Sequence, residues 1–186
     1  PTLRPYVELL LDSPGFFVMF WNSVKITLGT LAGQLLVGVP AAWGFARHEF
    51  PCKNLLFTLY IVLMLMPFQV TMMPTYLVLD RLNLLDTLTG IILPAAFSTF
   101  PVFIMYRFFR GIPQALIESA ELDGAGSFRI FWSIGLPLGA GGVMSAVVLG
   151  FLDCWNLIEP PMTYLKTKAL WPLSLYLPQV VTGRAG

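Results

Sequence analysis

The side chains that could do chemistry gather in one stretch, residues 118–137, ESAELDGAGSFRIFWSIGLP. Glu118, Glu121 and Asp123 fall within six positions there. Glu118 and Glu121, three apart, share a face at helical pitch. Outward-facing carboxylates suit ion pairing with Arg or Lys of a partner on the cytoplasmic side; the same composition fits a solvated helix at a membrane interface. Pro113 can serve as the first residue of this helix, where its missing N–H costs nothing. Asp123-Gly124-Ala125-Gly126 interrupts it, and Gly124 can take positive φ as a helix stop. Ser127 can cap a second helix, made apolar by Phe128, Ile130, Phe131 and Ile134, until Leu136-Pro137 interrupts again.

Catalytic chemistry finds no support elsewhere. A hydrolase needs a nucleophile beside a base, and an ion-coupled transporter places carboxylates or histidines within its spans. The apolar segments hold essentially no ionisable group except Lys25 and Asp153, near their ends. His48, the single histidine, sits in a polar turn. It has no metal-ligand spacing with Cys52 or Cys154. No glycine loop suited to cradling phosphate occurs, and nothing resembles a basic nucleic-acid patch. The chain is therefore expected to be no enzyme and to hold no catalytic residues, metal or cofactor of its own.

The elements that must position the acidic stretch are membrane spans. Of 186 residues 56% are hydrophobic and 11% charged, against about 25% charged in soluble domains. A span needs about 20 apolar residues. Residues 26–46 supply one, with Lys25 placed to snorkel and Gly29, Gly33, Gly38 and Ala42 at spacings that favour close helix packing. The charged turn 47–53 leads to a second span, 54–79, interrupted by Pro67 and Pro74; such prolines are either tolerated kinks or breaks of the kind transport pathways use. A third span covers 88–106 and a fourth runs from 138 to about 155. Residues 1–15 read as a loop or interfacial segment, and 157–186 hold no piece long enough to span. An all-α, polytopic helix bundle of four spans is expected.

If the spans alternate, Arg47, Lys53, Arg107, Arg110 and Arg129 share one side and Arg4 and Arg81 the other. Five basic residues against two make the first side cytoplasmic. The acidic stretch then faces the cytoplasm, and both chain ends lie outside, which fits a piece of a longer subunit lacking its first and last helices. The start, PTLRPYVELL, also reads as internal. Cys52 and Cys154 are expected at opposite sides, unable to pair, each small, buried and inert.

Glu118-Ser119-Ala120, three residues, Gly124, nine residues, Ile134, one residue and Leu136-Pro137 resemble the EAA motif of ATP-binding-cassette importer permeases, EAA-x3-G-x9-I-x-LP, departing from it only at Ser119. Asp123-Gly124-Ala125 with Phe128-Arg129-Ile130-Phe131 is similar to the carbohydrate-uptake, maltose-permease-like subfamily. So are Asn22-Ser23, Met66-Pro67-Phe68-Gln69, Leu84-Leu85-Asp86-Thr87, Phe108 to Pro113 and Trp155-Asn156. The resemblance implies a MetI-like permease domain over 1–186 with a coupling-helix loop at about 111–137, taken from a subunit of about six spans. It implies that Glu118, Ser119, Ala120, Asp123, Gly124 and Ala125 dock on an ATPase subunit. It further implies a second permease, two ATPase subunits that bind the ATP and Mg, an extracytoplasmic solute-binding protein, membrane lipid around the spans and a carbohydrate substrate. Pro67, Gln69, Trp155 and Asn156 are candidate pathway residues, or alternatively helix-packing ones. The rival readings are an ATPase-independent secondary transporter or facilitator and, against the missing catalytic set, a membrane enzyme.

Overall fold

The computed structural model describes residues 14–175; the expected interfacial segment over 1–13, with Arg4, and the basic Arg184 lie outside them. Every described element is helical: α1 Pro14–Arg47, α2 Lys53–Leu65, α3 Phe68–Arg81, α4 Leu88–Ala96, α5 Thr99–Arg110, α6 Gln114–Leu122, α7 Ser127–Ile130, a π-helical turn Phe131–Gly135, α8 Leu136–Leu138, α9 Ala140–Trp155, α10 Glu159–Tyr164 and a 3-10 turn Lys168–Leu170. Two stretches, Gly15–Arg47 and Leu88–Arg110, are long and apolar enough to cross a membrane as they stand. The other two expected spans are each broken.

The second expected span, 54–79, is interrupted at Met66-Pro67, as its prolines allow: Lys53–Leu65 and Phe68–Arg81 are apolar and long enough to span only when taken together. Met66 and Pro67 are both extended (ψ 127° and 150°), because a residue before proline is driven out of the helical region. Pro74, by contrast, sits inside α3. The two prolines therefore behave differently: one ends a helix, the other is absorbed. The fourth span is also shorter than expected. Its helix begins at Ala140, and a 66° bend at the Gly139 break separates it from Ser127–Leu138. The π turn sits immediately before Pro137, whose ring excludes the Ser133 carbonyl from a regular helix.

The chain forms two compact units. Of the described residues, the first combines 14–30, 67–95 and 151–175. Its apolar centre is Ile26, Leu79, Ile91, Tyr164 and Leu165, with Phe68, Leu84 and Trp171 against it. α3 closes with Asn83 in the left-handed region (φ 55°). Leu84 N–H donates to Leu79 O and Asn83 N–H to Asp80 O, the paired bonds that satisfy a helix's last carbonyls. Asn22 and Ser23 are buried polar residues on an otherwise apolar helix, a position that is costly unless they are bonded. Asn22 Nδ2 donates to Ala169 O at 2.7 Å, and Leu173 N–H donates to Ser23 Oγ at 2.8 Å. The segment after α9, read from sequence only as mixed, is thus folded and tied down.

Asp86 supplies the third tie. Its carboxylate accepts from Lys166 N–H and Thr167 N–H, both at 2.8 Å, and from the Thr167 hydroxyl at 2.6 Å. The Thr167 bonds are the main cause holding this carboxyl below its usual 3.8. A depressed folded-state pKa means the contribution is fully present above the ordinary value and is lost as pH falls through the depressed one. Hydrogen exchange at the Lys166 and Thr167 amides, taken relative to the intrinsic rate at each pH, should therefore be slow at neutral pH and lose this protection only as pH falls below the ordinary carboxylate range. Asp86→Ala should make it fast at every pH; protection unchanged in Asp86→Ala would refute the tie.

The second unit combines residues 31–66 and 96–150. The small residues of α1 do in it what their spacing predicts. A Cβ added at Gly33 would lie 2.6 Å from Ala96 Cβ, and one at Gly38 3.0 Å from Met105 Cε. Ala42 is wholly buried. Helix backbones approach this closely only where side chains are absent or minimal. α2 packs on α5 through aromatic rings, with Phe57 and Tyr106 centroids 4.4 Å apart. Phe109 is fully buried and meets Trp43 edge-on at 5.5 Å and 89°. Cys154 is buried as expected, but Cys52 is exposed. It occupies the left-handed region at φ 63° just before α2, in the charged turn that joins α1 to α2.

Candidate coupling loop

The acidic stretch folds as helix, turn, helix. α6 starts one residue later than expected: Pro113 is the extended residue before it (ψ 131°), not its first turn. Ile117 is the buried residue of α6, and Ala120 is half-buried. Glu118, Ser119, Glu121 and Leu122 are exposed. A nine-residue helix is too short to be stable alone, so the Ile117 and Ala120 contacts with the unit's core hold it in place.

The turn is built by Gly124. Its φ is +79°, a conformation that costs an ordinary L-residue roughly 1–2 kcal/mol. With Gly124 so placed, Ala125 N–H donates to Ala120 O and Gly124 N–H to Glu121 O, each at 3.0 Å. These bonds satisfy the orphan carbonyls of α6 and reverse the chain. Gly126, extended at ψ 160°, then precedes α7, and no side chain caps that helix. This corrects the expectation for Ser127, which is the first residue of α7 rather than its cap.

Glu118, Ser119, Asp123 and Gly124 are exposed, while Ala120 and Ala125 are half-buried. All six lie between 118 and 125, on the end of α6 and its turn. Neither Glu118 nor Asp123 makes a side-chain hydrogen bond or ion pair among the described residues. The loop's surface is also apolar: Leu122 is 90% and Phe128 77% exposed. Phe131 and Phe128, with Pro40, Trp43, His48 and Ser127, line an open recess of about 320 Å3 beside the turn.

Two residues flagged by no motif hold the loop. Arg47, the last residue of α1, donates from Nη1 to Gln114 Oε1 at 3.1 Å and from Nη2 to Phe109 O at 2.7 Å; Nη2 also donates to Ile112 O. Trp43 contacts Phe131 at 5.5 Å, and a Cβ added at Gly135 would come within 2.5 Å of its ring. In the sequence Arg47 reads only as a basic residue at a span end. The four-residue spacing from Trp43 to Arg47 was the available sign that both point the same way.

The candidate pathway residues belong to the other unit. Pro67 is exposed at the start of α3, and Gln69, two residues on, donates to Glu159 Oε1 at 3.2 Å. Trp155 stacks on Phe151 at 5.6 Å and meets Phe20 edge-on at 5.9 Å. Asn156 Nδ2 donates back to Leu152 O. Asn156 and Glu159 line one open recess of about 500 Å3, together with Asp153. The fold thus brings Asn156 and the partner of Gln69 to one recess. Pro67 and Trp155 do not line it.

Among the described residues no group of His, Cys, Asp or Glu could hold a metal. Apolar helical spans with an exposed acidic turn define a polytopic membrane subunit of the MetI-like permease fold. The chain belongs to the family of binding-protein-dependent transport system inner membrane components, whose profile matches residues 34–158. It is 33% identical over 162 residues to the sn-glycerol-3-phosphate transport system permease protein UgpE of Yersinia enterocolitica, covering 87% of this chain and 54% of that one. It is 35% identical to Protein LplC of Bacillus subtilis, over 96% of this chain and 60% of that one. With the arabinooligosaccharides transport system permease protein AraQ of the same organism it shares 30%, over 95% and 63%. The chain therefore spans between about half and two thirds of the length of these relatives. Among solved structures, a bacterial ABC transporter involved in the import of the acidic polysaccharide alginate superposes with a TM-score of 0.84. That match covers 93% of this chain and 61% of that one at 24% identity, and it bears on the fold.

Proposed function

We propose that this chain belongs to the permease subunit of an ATP-driven, binding-protein-dependent importer of the bacterial cytoplasmic membrane, with carbohydrate as its substrate class. The loop 111–137 lies on the cytoplasmic side and docks on an ATPase subunit. The observation that carries this reading is the Gly124 turn. It presents Glu118 and Asp123, unpaired among the described residues, on a projecting helix end whose Ala120 and Glu121 carbonyls are bonded within the turn. The single family domain and the excess of Lys and Arg at one set of span ends support it.

In this reading Glu118 contributes an ion pair or cap to the ATPase, and Ser119, Ala120 and Ala125 allow close approach. Asp123 and Gly124 make the turn. A second permease, two ATPase subunits holding ATP and Mg, and an external binding protein complete the machine. ATPase closure rocks the spans between inward- and outward-facing states. Pro67, Gln69, Trp155 and Asn156 are placed on or beside the pathway: aromatic faces and amides suit sugar stacking and hydroxyl bonding. One relative is named for the transport of arabinooligosaccharides, which supports a carbohydrate as substrate.

Glu118→Lys tests the docking. Charge reversal should reduce co-purification of the ATPase subunits about tenfold, as expected for loss of one charge-assisted contact, while membrane insertion is unchanged. Wild-type recovery of the ATPase with this variant would sink the assignment of Glu118.

A further inference from the structure

The last two turns of α1 hold both limbs of the coupling loop. On the outgoing limb, Arg47 donates to the carbonyls of Phe109 and Ile112 and to the side chain of Gln114. The Phe109 carbonyl sits at the C-terminal end of α5, where the helix dipole favours a cation, and also accepts from Ile112 N–H; the Ile112 carbonyl lies in the connector that follows. Gln114 is the first residue of α6. One guanidinium thus joins the end of the third span, the Gly111-Ile112-Pro113 connector and the start of α6. On the returning limb, one turn back along α1, Trp43 packs against Phe131 and leaves room only for glycine at position 135. Arg47 also stands 6.0 Å over the Trp43 ring, so the two contacts support each other. Nothing in the EAA pattern requires Arg47 or Trp43, and a tether of α6 alone would not need the long α1 to end here.

We infer that Arg47 is a positioning residue for coupling, with Trp43 as its second point of grip. Together they make the loop and the end of α1 one rigid piece, so that displacement of the loop is passed to α1 instead of being absorbed at Gly111-Ile112-Pro113. This rests on the proposed docking of the loop on an ATPase. Guanidinium geometry matters because one planar fork reaches three acceptors, which an ammonium cannot do.

The test uses the intact importer complex with Cys52, Cys154 and every other cysteine of the complex replaced by serine, and Asn156→Cys as the single thiol. Two quantities are measured: nucleotide trapped by ATP, Mg and vanadate, and the rate of modification by a membrane-impermeant maleimide with and without trapping. In the Arg47-containing complex, trapping should change the modification rate about fivefold, within the usual range of coupling between sites. Arg47→Ala should trap nucleotide at the same level while the change shrinks below about twofold. Arg47→Lys should recover part of it, because one acceptor is still reached. A merely structural role would lower trapping and response together. Arg47→Ala with an undiminished response overturns the proposal, and so does loss of trapping in an assembled complex. Should Arg47→Ala not assemble, Arg47→Lys and Gln114→Ala decide: an undiminished response in both overturns it. If the Arg47-containing complex traps no nucleotide or shows no change, the proposed ATP-driven function fails instead.

Discussion

Gly124→Val should nearly abolish ATPase association with the complex while leaving the chain folded in the membrane. The reasoning separates two costs. The first is local. Gly124 sits at φ +79°, and a β-branched residue there pays roughly 1–2 kcal/mol of backbone strain. Released from that strain, the turn would open and the bonds from Ala125 to Ala120 and from Gly124 to Glu121 would be lost. The second cost lies outside this chain. A Cβ at Gly124 meets nothing within 4 Å among the described residues, so any further penalty comes from a partner that approaches the backbone closely. Gly124→Asn distinguishes them, because Asn tolerates the left-handed region. If Asn restores association, the turn's shape is what matters; if Asn fails as Val does, close approach is. Either outcome supports docking. Association and ATPase activity at full level in Gly124→Val would end the coupling-loop assignment. Co-purified ATPase per permease, with circular dichroism of the complex as a fold control, is the measurement.

Phe109→Ala should destabilise the second unit by about 3 kcal/mol or more, the scale for removing a buried aromatic ring. Phe109 is fully buried, lies edge-on to Trp43, and its backbone carbonyl is held by Arg47. A Cβ added at Gly139 would overlap the Phe109 ring and come 2.9 Å from Gly135 O. Gly139→Ala alone should therefore cost about 1–3 kcal/mol as overpacking. Because the two changes act on one space, the double variant should be less destabilised than the sum. Relief should be incomplete, since the Gly135 carbonyl stays in the way. Midpoints of thermal unfolding in detergent, read by size-exclusion fluorescence for both singles and the double, give the coupling. Strict additivity would mean that Gly139 and Phe109 do not share the contact the structure assigns them.

Much of this architecture was legible before any coordinates. Apolar run length marked out four hydrophobic segments, because the requirement that a bilayer places on backbone polar groups leaves helices as the one solution for such runs. The spacing of Gly29, Gly33, Gly38 and Ala42 forecast a close-packed α1. The positive φ of Gly124 followed from its place after a helical pattern and before a second one. The family resemblance, made on residues 118–137, agrees with the profile match over 34–158.

Other features waited on the fold because they depend on which neighbours meet. Pro67 and Pro74 look alike in sequence, yet one breaks a helix and the other lies within it. Ser127 has the chemistry of a cap, but the Gly124 turn sets the chain one residue out of phase and gives that place to Gly126. Asn22, Ser23 and Asp86 carry no signal that they will meet residues 166–173, since contacts 80 or more residues apart are invisible to local pattern. Arg47 is the sharpest case. Composition and the positive-inside count define a cation at a span end, and local rules stop there. Its role as a three-way tie at the root of the coupling loop exists only because α5 ends beside it, which places the Phe109 and Ile112 carbonyls and Gln114 within reach of one planar guanidinium.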